Sequence, residues 1–333
     1  MNPTVTVVMP IYNNEDFVAR AVHSVLDQSF KDFEVIIIDD SSTDRSLSTV
    51  RQAVDERPES DRDKVHIIGR EHNLGYSAAT NTGVGLARGR WIWFVDGDDW
   101  AEPEMLRRLV DAARSHAAQI AVSRIRTVRV ATGAAKILPE WAPRASVATG
   151  VESLKHLARG DIGSFQTNKL VSKDIWDGVV SPGNAYGDLA IMPKLFSRSE
   201  RVAFVDEPLY NYSLHSGSVT GALRPSMWDL TALHSFVDPI LDEVFAPRVA
   251  RALRKHFAYR LVYWPLIHNS AADISSGVLA EEIQSWTRHQ IRWSELLWLV
   301  ARGRVALVAS LGLAKGSPHL HRKLFRYYKG RTS

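Results

Sequence analysis

Apolar residues in the first third of the chain arrive in short dense runs, with amphipathic stretches between them. Val5–Met9, Phe33–Ile38, Val65–Ile68 and the run opening at Trp91 are rich in β-branched and aromatic residues, as strands buried on both faces are. Between the first two runs, Phe17, Val18, Ala21, Val22, Val25 and Leu26 fall on one helical face. Asn13 or Asn14 is expected to cap that helix, with Glu15 and Asp16 in its first turn. After the second run, DDSSTD is a helix-cap cluster; Gly75–Ala87 reads as helical despite its internal glycines. A further helix turns Leu106, Leu109, Val110 and Ala113 inward. Strands alternating with helices of this length predict an α/β fold, a parallel sheet with helices on both faces. Ligands of such sheets bind at the carboxyl ends of the strands. Pro10–Asn14, Asp39–Asp40, Asn73–Gly75 and Asp96–Asp99 would converge there.

The alternation then stops. Ala131–Gly150, with Ala, Gly, Pro and Thr, reads as a loop or hairpin, and from Pro225 onward helical segments rich in Trp, Leu, Ala and Arg take over. The expected organisation is a catalytic domain over 1–223 and a helical region over 224–333. No internal repeat or low-complexity tract stands out.

The chain has no cysteine, so disulfides, thiolate metal sites and cysteine nucleophiles are all excluded. Its opening, MNPTVTVVMP, lacks the basic and long apolar regions of a signal peptide, which sets a cytoplasmic expectation. The net charge of +4 is mild, but no acid follows Glu295 while lysines and arginines continue. Such a tail favours anionic surfaces. The charge-free run Val305–Ala314 is about half the length of a spanning helix. It is expected either to lie in a membrane interface, peripheral on the inner face, or to pack on the catalytic domain or on a second copy in a homo-oligomer. No nucleic-acid-binding motif accompanies the charge, so no nucleic-acid partner is expected.

The densest chemistry is in WIWFVDGDDW, where an apolar strand runs into Asp96, Asp98 and Asp99. Acids crowded at a strand end raise one another's pKa unless a positive charge sits among them. Oxygen ligands from one short turn suit Mg²⁺ or Mn²⁺, whose shells phosphate oxygens commonly complete. A plain alternative is a solvated turn, with Asp99 capping the helix that starts near Pro103.

Three blocks, in order, resemble the inverting family-2 glycosyltransferases of the GT-A fold: VTVVMPIYNNEDFVARAVHSVLDQSFKDFEVIIIDDSSTD, HNLGYSAATNTGVGLARGRWIWFVDGDD and VAFVDEPLYNYSLHSGSVT. The resemblance covers Thr4 to Thr220. It implies a Rossmann-like nucleotide-diphospho-sugar transferase sheet, a nucleoside-diphosphate-sugar donor (a UDP-sugar), Mn²⁺ or Mg²⁺, and a glycan or lipid-linked acceptor of bacterial polysaccharide or cell-wall type. It places Pro10 and Tyr12 against the base with Glu15 nearby; strand-end packing is the alternative for Tyr12. Asp40 would accept from the uracil imide with Asp39 as a helix cap; the reverse assignment, and capping by both, are the alternatives. Asn73 and Asn81 belong to the same donor site. Asp96 is assigned to the ribose or a metal-bound water, Asp98 to the metal, and Asp99 to the acceptor or a metal-bound water. His215 would complete the metal shell or bind phosphate, with Ser218 and Thr220 adding hydroxyls. Asp188 takes the place of the catalytic base, helix capping being its alternative. Two departures stand out: Thr80 where an arginine is common, and Gly187 where a glutamate precedes the base.

Two other classes fit less well. A nucleotidyltransferase should carry a glycine-rich cationic loop after its first strand, and MPIYNNED has neither glycine nor cation. A catalytically altered glycan-binding or scaffold protein would rest on Gly187 and Thr80.

Overall fold

The computed structural model describes residues 2–139, 145–183, 186–215, 223–272 and 277–332. They form two compact units. One comprises Met1–Leu157 with Ile162–Ser216, the other Ala158–Asp161 with Gly217–Ser333.

The first unit is built on one ten-stranded sheet. Its strands are β1 (Val5–Ile11), β2 (Phe33–Asp39), β3 (Val65–Gly69), β4 (Trp91–Phe94), β5 (Trp100–Ala101), β6 (Ile120–Arg129), β7 (Ala135–Ile137), β8 (Val147–Thr149), β9 (Lys169–Ser172) and β10 (Arg201–Leu214). The main path runs β3-β2-β1-β4-β9-β6-β10-β5, with β7 beside β6 and β8 beside β10. The first four strands pair in parallel, Val5 standing opposite both Phe33 and Trp91. Every residue of β1, β2 and β4 is buried, as their unbroken apolar runs require.

The expected parallel arrangement holds over the first four strands, and the sheet becomes mixed beyond them. β9 runs antiparallel to β4 on one side and to β6 on the other, while β10 returns parallel to β6. Lys169–Ser172 is too short a run to declare its direction in the sequence. The expected hairpin after residue 131 is present as β7 folding back on β6.

The helices of this unit are α1 (Val18–Leu26), α2 (Ser46–Asp55), the single turn α3 (Glu59–Arg62), α4 (Tyr76–Leu86), α5 (Met105–Ser115), α6 (Gly150–Arg159), whose end passes into the second unit, and α7 (Gly187–Arg198). α1 buries Val18, Ala21, Val22, Val25 and Leu26, and α5 buries Met105, Leu106, Leu109, Val110 and Ala113. α6 opens with a reciprocal cap: Thr149 Oγ1 accepts from the Glu152 N–H, and Glu152 Oε2 accepts from the Thr149 N–H.

The expected caps of α1 and α2 also need correction. Asn14 turns its side-chain oxygen back to the Tyr12 N–H at 3.0 Å, and its carbonyl, not its amide, receives the Phe17 and Val18 N–H groups. Glu15 and Asp16 therefore lie in the turn before α1, which starts at Val18. Asp39 accepts from Ser42 N–H in a local turn, and α2 begins only at Ser46, whose N–H is taken by Asp44.

The second unit is helical: α8 (Asp229–Val244), α9 (Pro247–Phe257), a π-helical segment Ala258–Tyr263, α10 (Trp264–Ala272), α11 (Gly277–Gln290), α12 (Trp293–Val300), α13 (Val305–Gly316) and α14 (Pro318–Thr332). Tyr259, Ile267, Ile291, Leu296, Leu299, Leu311 and Ala314 share one core cluster. Tyr259 satisfies its buried hydroxyl by donating to Glu295 and accepting the Arg292 N–H, both at 2.9 Å. Asp161 is paired with Arg304 at 2.6 Å and Arg159 at 3.1 Å.

Candidate active site

The turns after β1 and β2 are laced together. Ser42 Oγ accepts from Asn13 N–H, Ser46 Oγ from Asn14 N–H, and Asp44 from Glu15 N–H, while Asn13 Oδ1 accepts from Thr43 N–H. Glu15 returns the contact by accepting from both the Arg45 N–H and its guanidinium, which hold its carboxyl below the usual range. Pro10 is buried in β1 opposite Ile38, and Tyr12, 45% exposed, stands at the lip of this double turn.

Asp40 is 3% exposed, and its carboxylate is engaged by the protein. Oδ1 accepts from Arg70 Nη1 at 3.0 Å and from Leu74 N–H at 3.1 Å; Oδ2 accepts from Gly75 N–H at 2.7 Å. Its immediate task is to pin the loop before α4. Gly75 takes a φ of 87° there, and exposed Asn73 accepts from the same Gly75 N–H.

Next along the sheet comes the acidic turn after β4. Gly97 lies so close to the first turn that a Cβ would stand 2.8 Å from Asn14 Oδ1. Asp96 accepts from the Tyr76 hydroxyl at 2.8 Å, and its own N–H donates to the Tyr210 hydroxyl. Asp99 is buried at 1% exposure and accepts from Ser213 N–H, so it does not cap α5. Ser213 Oγ in turn donates to the Asp98 carbonyl. His215 Nε2 lies 2.9 Å from Asp98 Oδ2, with its ring against Phe17 at 4.5 Å between centroids. The Arg20 guanidinium lies 3.6 Å over the Trp100 ring and donates to Ser213 Oγ.

Burial and the neighbouring Asp98 charge push the Asp96 carboxyl up to about 7 and drive Asp99 well above its usual range. Carboxylate oxygens of Asp96, Asp98 and Asp99 all come within 4.8 Å of one another. A cluster of hard oxygen donors this crowded fits a divalent cation, whose charge would remove the repulsion.

The third part of the site is the start of α7. Asp188 lies in its first turn, accepting from Leu189 N–H at 3.0 Å and from Ser164 Oγ at 3.4 Å. Burial raises its pKa, and its charge is near enough to raise those of Asp96 and Tyr76. Lys169, wholly buried, donates to the carbonyls of Gly163 and Phe165 and to Asn168 Oδ1 at 2.6–2.9 Å. Its pKa is pulled down to about 7 by burial, against the attraction of Asp188.

Asn81 faces this part of the site, with its amide bonded at both ends to the Ser181 backbone. Ser181 Oγ donates to Ser77 Oγ at 3.0 Å. A Cβ on Gly187 would stand 2.4 Å from Ser181 Oγ and 2.7 Å from Ser77 Oγ. Thr80 is fully buried in the same helix, with no hydrogen-bond partner for its hydroxyl among the described residues.

Asp96, Asp98, Asp99 and His215 thus come together, with Asp188 within electrostatic reach. Ser218 and Thr220 lie outside the described residues. Sequence reading missed Tyr76, Arg70, Lys169 and Arg20. Tyr76, Arg70 and Arg20 act through partners distant in sequence and Lys169 through the carbonyls of its own turn; the places of Tyr76 and Arg20 inside the matched blocks were the signals available.

The fold is that of the GT-A glycosyltransferases. The chain belongs to glycosyl transferase family 2, whose sequence model matches residues 6–171, about half its length. Among curated relatives, the succinoglycan biosynthesis protein ExoO of Rhizobium meliloti is 39% identical over 126 residues, 38% of this chain and 34% of that protein. The chain therefore spans about a third of that relative's length. Glycosyltransferase GlyG of Streptococcus pneumoniae is 25% identical over 266 residues, 77% of this chain and 86% of GlyG. The same fold is seen in S. aureus TarS 1–349 in complex with UDP-GlcNAc, with a TM-score of 0.70 at 16% identity over 99% of this chain and 92% of that one. Mannosyltransferase PcManGT of Pyrobaculum calidifontis, solved with GDP-Man and Mn²⁺, follows at a TM-score of 0.52 and 12% identity, covering 99% of this chain and 88% of that one.

Proposed function

We propose that the chain transfers one sugar, with inversion, from a UDP-sugar to a hydroxyl of a cell-surface polysaccharide or lipid-linked glycan. The observation that carries this reading is the pairing of the Asp96–Asp98–Asp99 cluster with a half-buried Asp188 of raised basicity whose field reaches Asp96. Asp188 takes the acceptor hydroxyl's proton as that oxygen attacks the anomeric carbon. Its raised pKa makes it a stronger base than an ordinary carboxylate, and the Ser164 contact holds it in place.

Tyr12 offers a phenol face to the base from the double turn, and Asp40 fixes the Asn73–Gly75 loop. Asp98 and His215 would hold Mn²⁺ or Mg²⁺, with Asp96 oriented by Tyr76 and Asp99 anchored on β10. When bound, the cation supplies positive charge to the departing diphosphate.

The reading is tested by donor hydrolysis and transfer across nucleotide sugars, with Mn²⁺ and with chelator. Chelator-sensitive turnover of a UDP-sugar supports it; no turnover and no nucleotide-dependent thermal shift with any donor overturns it. Asp188→Asn should retain UDP binding and lose transfer. In the unaltered chain the acid limb of the rate profile should lie above the usual carboxylate range, because Asp188 must be unprotonated to act.

A further inference from the structure

The helical unit carries an apolar surface that its own core does not use. In α12, Leu296 and Leu299 turn inward and are buried. Trp293, Leu297 and Val300, spaced i, i+4 and i+7, form the adjoining face and are 55%, 70% and 41% exposed. α13 repeats the arrangement, burying Leu311 and Ala314 while Val305 is 60% exposed. The Trp293 indole bridges the two helices. Its ring atoms lie 3.6 Å from where a Cβ would stand on Gly312 and on Gly316. The two helices therefore share one apolar face. Single exposed apolar residues are ordinary on a folded protein, but a shared face marks a contact.

Charge decides what kind of contact. Arg292 and Arg302 are exposed at the two ends of α12. Arg302 lies with its guanidinium 3.8 Å over the Trp298 ring. Beyond Glu295 the chain has eight lysines and arginines and no acid. Among these, Arg304 is already occupied by Asp161. Two copies meeting through this face would set like cations against one another as they lost water. An anionic surface has the complementary charge.

We propose that the α12–α13 face docks in the plane of an anionic lipid surface. Trp293, Leu297, Val300 and Val305 enter the headgroup boundary, and Arg292 and Arg302 meet lipid phosphates at its rim. No helix among the described residues is long and apolar enough to cross a membrane, which fits contact in the plane. The proposal goes beyond the sugar-transfer reading and depends on none of its residue assignments.

The test is co-sedimentation of the full chain with phosphatidylcholine vesicles and with vesicles that also contain phosphatidylglycerol. The expected result is retention at least tenfold stronger on the anionic vesicles, weakened by high salt. Leu297→Glu with Val305→Glu should abolish retention without moving the thermal unfolding midpoint or donor hydrolysis. Should that variant misfold, Arg292→Gln with Arg302→Gln is the check; it should weaken anionic-vesicle binding about fivefold per cation removed. Equal retention on both vesicle types, or none on either, overturns the proposal. So does a sedimenting dimer that Leu297→Glu converts to monomer in a chain that ignores vesicles, which would make this face a contact between copies.

Discussion

Asn81 grips Ser181 by both ends of its amide, donating to the Ser181 carbonyl at 2.9 Å and accepting its N–H at 2.8 Å. One side chain on α4 thereby fixes the backbone that leads into α7 and Asp188. Asn81→Ala should cost about 2 kcal/mol, about 1 for each hydrogen bond, and should lower the rate of transfer more than donor affinity. Urea unfolding and a separation of kcat from KM check both. Asn81→Asp, which keeps only the acceptor, should fall between; equal donor affinity and equal kcat in Asn81→Ala would remove the positioning role.

Gly187 stands where similar enzymes carry a glutamate, yet restoring that acid should not improve this enzyme. The space is held by the Ser77–Ser181 hydroxyl pair, both oxygens under 3 Å from the position of a Cβ. Gly187→Glu should destabilise by about 1–3 kcal/mol, as overpacking does, and should reduce transfer. Adding Ser77→Ala and Ser181→Ala removes both obstructing oxygens and should recover part of the stability. Thermal unfolding of the three variants decides it.

Tyr76 donates to Asp96, a carboxylate already burdened by burial and by Asp98. Removing that donor raises the cost of ionising Asp96. Tyr76→Phe should therefore need more Mn²⁺ for half-maximal donor hydrolysis and lose about tenfold in kcat/KM, the worth of one hydrogen bond to a charged group. An unchanged Mn²⁺ titration would show that the contact does not serve the cluster.

In the helical unit His256 is 5% exposed, and its ring packs against Trp298 at 5.1 Å between centroids. Burial, with Arg304 and Arg159 nearby, pulls its pKa down to about 4 from an ordinary 6.5. The unfolded chain therefore takes up this proton first as pH falls. The associated stability is complete above about pH 6.5 and is lost as pH falls from there through 4. His256→Phe, which keeps a ring beside Trp298, should lose less stability than the unaltered chain between pH 7 and pH 5, measured by calorimetry.

The strands that form the floor of the site were readable because each is an unbroken apolar run, and the three acids because they are nearly consecutive. α1 and α5 showed their inward faces in their spacing. What could not be read is what depends on distant partners. Asn14 has the chemistry of a cap, but its side chain is claimed by Tyr12 and the cap fails to form. Tyr76 and Asp96, Asn81 and Ser181, and Asp40 and the Gly75 loop are pairs that only the folded sheet brings within reach. β9 was hidden for a related reason. Four residues, all buried, leave no alternation to show on which strand they pair or in which direction.

Because β9 fills the gap between β4 and β6, neither neighbour can complete its hydrogen bonding until residues 169–172 exist. A ribosome that has finished Trp91–Phe94 and Ile120–Arg129 has made two strands with raw, mostly apolar edges and nothing yet to lay between them. Any product that stops short of residue 169 keeps those edges for good, and another such fragment is the nearest strand able to cover them. Premature termination in this gene would thus yield an aggregation-prone fragment instead of a smaller working sheet, and a truncation that preserves solubility must lie beyond Ser172.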